Sequence, residues 1–81
     1  MPTFMDYHDD LKLPQEVLDS LQQATKNGDK DEFGVRQVEL YYNDAGKVYC
    51  LLEGPDAEAV RKHHEAVGVS CGDVHEVNQL L

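Results

Sequence analysis

Val35-Arg36-Gln37-Val38-Glu39-Leu40-Tyr41-Tyr42-Asn43-Asp44-Ala45-Gly46-Lys47-Val48-Tyr49-Cys50-Leu51-Leu52-Glu53 alternates in polarity on both sides of one turn. Val38, Leu40 and Tyr42 fall on one face of the first arm, and Gln37, Glu39 and Tyr41 on the other. In the returning arm Val48, Cys50 and Leu52 share a face, opposite Tyr49 and Leu51. This period of two predicts a β-hairpin. Its turn is Asn43-Asp44-Ala45-Gly46, with Gly46 free to take a positive φ.

On the C-terminal side, Gly54-Pro55 breaks the strand and Asp56 is placed to cap a helix. Ala57, Val60, His64 and Val67 recur at spacings of three and four, which predicts a helix over Asp56 to Val67 ended by Gly68. A last strand is expected from Val74 to about Leu80. On the N-terminal side, Thr3 to His8 reads as a strand. Pro14 suits the first turn of a helix running to about Lys26, with Val17, Leu18, Leu21 and Ala24 on one face. That helix stops near Gly28 or continues weakly toward Gly34, with Phe33 as a core anchor. The order βαββαβ with amphipathic helices predicts an α+β, ferredoxin-like fold: a four-stranded antiparallel sheet, order 4-1-3-2, with both helices on one face.

Eighty-one residues fit a single domain over 1–81 with a thin core. Seven basic against sixteen acidic residues give a formal charge of −9. An acidic chain does not suit the phosphates of nucleic acid or an anionic membrane. No basic, apolar leader opens the chain, and Cys50 and Cys71 make a poor disulfide framework. A cytoplasmic protein with two reduced thiols is therefore expected. Cys50 should face the helices as a small hydrophobe. Cys71 is the more exposed thiol, a bystander or an extra soft ligand.

The topology gathers chemistry at one end of the sheet. Strand 1 ends there with Asp6, His8, Asp9 and Asp10, helix 2 ends there with His63 and His64, and Cys71, Asp73 and His75 follow. Period-two alternation places Asp6 and His8 on the same side of their strand. Helical phase points His64 toward the sheet and leaves His63 nearer the edge. Strand 4 neighbours strand 1, so His75 is expected near His8. Imidazoles and a carboxylate are ligands for a first-row divalent metal. The same residues also make ordinary structural hydrogen-bonded pairs. No His-Glu-x-x-His, Cys-x-x-Cys, nucleophile elbow or phosphate loop is present.

Tyr41, Tyr49 and Leu51, with Glu39 and Glu53, share the sheet face that the helices leave uncovered. That mixture is too apolar to stay wet, and a homodimer through this face is expected.

The opening Met1-Pro2-Thr3-Phe4-Met5-Asp6-Tyr7-His8 and the stretch Cys50-Leu51-Leu52-Glu53-Gly54-Pro55-Asp56-Ala57-Glu58-Ala59-Val60-Arg61, followed by His64, resemble a family of small bacterial proteins. The family was long known only as a domain of unknown function and includes a nickel-binding, ferredoxin-like member. The resemblance spans nearly the whole chain. It departs at Gly68-Val69-Ser70-Cys71-Gly72-Asp73, where a Gly-Leu-Pro type of connector is expected. It implies a dimeric, non-enzymatic nickel-binding protein with Asp6, His8 and His64 at the metal. Asp6 then ligates the metal or orients a histidine. The alternative is a small-molecule-binding dimer or enzyme of the α/β-barrel type, with His8 as acid–base.

Overall fold

The computed structural model describes residues 1–80. The elements follow in the order β1 (Thr3–His8), α1 (Gln15–Asn27), β2 (Arg36–Tyr42), β3 (Val48–Glu53), α2 (Ala57–Ala66) and β4 (Val74–Val77). All strand pairs are antiparallel, in the order β2-β3-β1-β4. The ferredoxin-like arrangement predicted from the hairpin and the two amphipathic stretches is the observed one. β4 is shorter than expected and ends at Val77 rather than near Leu80.

Each helix is bounded by its own sequence. Asp56 caps α2, its carboxylate accepting a hydrogen bond from Ala59 N–H at 2.8 Å. α1 starts after Pro14 and stops at Gly28, which takes φ 68° while its N–H and the next return to the Thr25 and Ala24 carbonyls. It does not continue toward Gly34. Asp31 instead accepts the Phe33 and Val35 amides and shapes the entry to β2. In the β2–β3 hairpin Gly46 adopts φ 86°, and its carbonyl accepts the Leu11 amide at 2.8 Å. That bond ties the turn to the segment just beyond His8.

The core lies between the sheet and α2. Phe4, Val35, Val48, Cys50, Leu52, Ala59 and Val60 are buried, and Leu52 and Val60 are essentially sealed. α1 is seated differently. Its predicted apolar residues face inward, but none is fully buried and Val17 is 38 % exposed. A cavity therefore remains beneath it.

One strand departs from strict alternation. Gln37 pairs with Leu52 and Glu39 with the adjacent Leu51, so Val38 is an extra residue in β2. The bulge inverts the phase of the strand. Leu40 and Tyr42 keep the helix-facing side, and Tyr41 stays on the outer side. Gln37, expected outside with Glu39 and Tyr41, instead aligns with the inward Leu52. Its amide donates to the Glu39 and Leu51 carbonyls across the gap in the ladder.

Met5, Tyr7, Tyr41 and Tyr49 are exposed on the uncovered face, where Tyr7 and Tyr49 stack with ring centroids 4.8 Å apart. Leu51 is half-buried there. Among the described residues no helix is long and apolar enough to cross a membrane.

Candidate metal centre

Alternation in β1 buries Phe4, Asp6 and His8 beneath the helices and exposes Met5 and Tyr7. The β1–β3 register sets Asp6 directly opposite Cys50. α2 then brings His64 over the same spot, because Val60 and His64 lie one turn apart on its buried face. Asp6, His8, Cys50 and His64 thus meet in the interior. Each offers a donor atom, and these atoms lie within 4.8 Å of one another.

The two imidazoles converge on one oxygen. His64 Nε2 lies 2.6 Å from Asp6 Oδ2, and His8 Nε2 lies 3.2 Å from the same atom. The rings are 5.2 Å apart. His64 Nδ1 is 2.8 Å from the carbonyl of Val60, which can only accept. Nδ1 therefore carries a proton. In a neutral ring Nε2 then carries only a lone pair, and it faces a carboxylate. A lone pair against an anion is repulsive, so a proton or a metal cation must stand between them.

The charge states agree with this. Burial opposes charge on His64, but the Asp6 hydrogen bond and the Val60 carbonyl outweigh it and raise its pKa. Burial likewise opposes ionisation of Asp6, but His64 and the charge of His8 hold its pKa below the usual value of 3.8. Below the raised pKa of His64, and above the lowered pKa of Asp6, the pair is a carboxylate facing a protonated imidazole. Cys50 stays a neutral thiol, pushed up by its burial and by the Asp6 charge.

Among the described residues two buried side-chain atoms have no hydrogen-bond partner: Asp6 Oδ1 and His8 Nε2. The 3.2 Å approach of His8 to Asp6 is close in distance but not aligned as a hydrogen bond. Orphaned buried donors and acceptors of this kind cost stability unless something satisfies them. Two imidazole nitrogens, a carboxylate and a thiol form a donor set that suits a borderline transition metal such as nickel or zinc.

The sequence expectations separate here. Asp6, His8 and His64 come together. His63 does not join them, because its ring turns to the helix edge and pairs with Asp31. His75 lies opposite Met5 in the register and is exposed, so it does not approach His8 as expected. Alternation in β4 sends it to the outer sheet face. Cys71 borders the cluster, with Sγ 3.9 Å from Asp6 Oδ2. Asp9 turns outward to Lys47 at 2.7 Å and to the Tyr7 hydroxyl. Glu53 is neutralised by Arg36 at 2.9 Å. Cys50, read from the sequence as a small hydrophobe, sits among the donors. Its inward phase was legible, but its alignment with Asp6 needs the β1–β3 register.

A family model described as "Nickel responsive protein SCO4226-like" matches residues 4–77. Among solved structures, the crystal structure of SCO4226 from Streptomyces coelicolor A3(2) is similar, with a TM-score of 0.71 and 34 % sequence identity. The match covers 98 % of this chain and 99 % of that one. No curated protein matches.

Proposed function

This chain belongs to the SCO4226-like family of nickel responsive proteins, and from that premise we propose that it is a non-enzymatic nickel-binding protein. The observation that carries this reading is the buried cluster itself. His8 Nε2 and Asp6 Oδ1 lack partners, and His64 Nε2 is aimed at a carboxylate. His8 and His64 would hold the metal through imidazole nitrogen and Asp6 through oxygen. Cys50 adds a thiol that a bound metal would deprotonate. The Val60 carbonyl orients His64 for this role by accepting from its other nitrogen. Bound nickel would supply the positive charge that a proton on His64 supplies without it.

The proposal extends to assembly and location. A homodimer through the outer sheet face is supported by the exposed Tyr7, Tyr41 and Tyr49 and by the thin core of so short a chain. A cytoplasmic setting is supported by two free cysteines, one of them among the donors.

Calorimetric titration of chelator-treated protein with nickel tests the reading. One strong site per chain, lost in His8→Ala and in His64→Ala but retained in His63→Ala, is the expected result. A strong site that survives both of the first two substitutions refutes it, because surface histidines would then be the ligands.

A further inference from the structure

The donor cluster is buried, so an ion must reach it from outside: Asp6, His8, Cys50 and His64 are each less than a tenth exposed. His8 borders two separate cavities. One, of about 350 Å³, lies beneath α1 and also touches Cys50 and His64. Its walls are mostly aliphatic, with Leu13, Leu21 and Leu40 among them and Glu16 as the one acid. The other, of about 470 Å³, lies at the end of β1. Asp9 and Asp10 line it from one segment, Gly68, Ser70 and Gly72 from the turn after α2. His8 is the buried member of that lining. Asp9 is held by Lys47 at 2.7 Å, so Lys47 offsets one of the two acidic charges, while Asp10 beside it is exposed.

We propose that the cavity at the end of β1 is the entrance through which a divalent cation reaches the centre, with Asp10 and Asp9 drawing the ion in and His8 receiving it first. The inference rests on the metal-binding reading and goes beyond it by assigning a route and two residues outside the donor set. A hydrated divalent ion gains nothing from aliphatic walls in exchange for its water, which disfavours the path beneath α1. Fixed negative charge at the mouth of a concave site raises the local cation concentration and the rate of arrival. His8 Nε2 has no hydrogen-bond partner, so it can take an ion without breaking a bond. His64 Nε2 is already engaged with Asp6, which sets it later in the order. Charges at the rim govern how fast the ion arrives, whereas the buried donors govern how firmly it is held.

The test separates arrival from retention. The full chain, freed of metal by chelator, is first titrated with nickel by calorimetry. Stopped-flow mixing with nickel then gives the association rate, and mixing of the loaded protein with excess chelator gives the release rate. Asp10→Asn is expected to slow association roughly threefold to tenfold at low ionic strength, the effect of one charge on a divalent ion through a few ångströms of water. That difference should shrink in about 1 M salt, and release should be unchanged. Lys47→Ala, which frees the charge of Asp9, is expected to speed association, a direction that general damage to the fold would not produce. Ser70→Trp, which fills the entrance, should slow both association and release, while Val17→Trp, which fills the cavity beneath α1, should change neither rate. An association rate unaffected by both Asp10→Asn and Lys47→Ala overturns the proposal while leaving the metal site intact. So does slowing by Val17→Trp with none by Ser70→Trp. Failure of the first titration removes the metal-binding reading and this proposal together.

Discussion

Asp6→Asn keeps the shape of the side chain and removes its charge, so it isolates the electrostatic part of the centre. Asp6 is 1 % exposed and His64 4 % exposed, so solvent screens their contact little. In the metal-free protein, below the raised pKa of His64, the 2.6 Å contact is a charge-assisted hydrogen bond from protonated His64. Such bonds contribute about 1.5–3 kcal/mol, against about 0.5–1.5 kcal/mol for neutral ones. The amide of the variant can still donate to a neutral His64 Nε2, so the expected loss is about 1–2 kcal/mol. For a domain of this size that is a fall of roughly 4–16 °C in Tm. Asp6→Ala, which leaves His64 unpaired, should cost more, about 3–5 kcal/mol.

The loss should depend on pH in a definite direction. The folded-state pKa of His64 is raised above 6.5, so its contribution is full below that value and is lost as pH rises through the raised pKa. The folded-state pKa of Asp6 lies below 3.8, so its contribution is full above that value and is lost as pH falls through the lowered one. The pair therefore stabilises the metal-free chain most between 3.8 and 6.5. Urea denaturation of both proteins in chelator, at about pH 5.5 and about pH 9, measures the difference. The gap should be wide at the lower pH and shrink at the higher. An equal gap at both would refute the pairing of an ionised Asp6 with a protonated His64. In nickel the same substitution should also weaken metal binding, by about tenfold to a hundredfold if Asp6 only orients a histidine, and by more if it ligates directly.

Nickel at about a hundred times its Kd should stabilise the chain by about 2.7 kcal/mol in a thermal melt, and excess chelator should reverse the shift. The affinity should fall as pH falls through the histidine range, since the metal must displace the proton that Asp6 holds on His64. Cys50→Ser should remove any sulfur-to-nickel charge-transfer absorption and weaken nickel binding; an unchanged spectrum would take Cys50 out of the centre. Leu51→Asp on the outer sheet face should give monomers by light scattering if that face joins two copies, and an unchanged mass would place the contact elsewhere. Leu52→Ala should cost about 2–5 kcal/mol by urea denaturation, because Leu52 is sealed in the core.

Period and punctuation in the sequence determined the elements by themselves. The alternation on either side of Asn43–Gly46, the helical stripe Ala57, Val60, His64 and Val67, and Pro14 at the start of α1 each act within one turn or one pleat. Local backbone geometry therefore suffices to read them. The same local rules placed Asp6 and His8 on one side of β1, turned His64 inward and left His63 at the edge. Three features were decided only by the tertiary structure. Gln37 turned inward because a bulge at Val38 shifted the phase of β2, and a bulge is a property of two paired strands. Cys50 became a neighbour of the donors because β3 pairs with β1 in a register that sets it against Asp6. His75 left the site because β4, lying beside β1, aligns it with the outward Met5. In each case the deciding quantity is the offset between strands far apart in the chain, and a shift of one residue there reverses the face of every side chain.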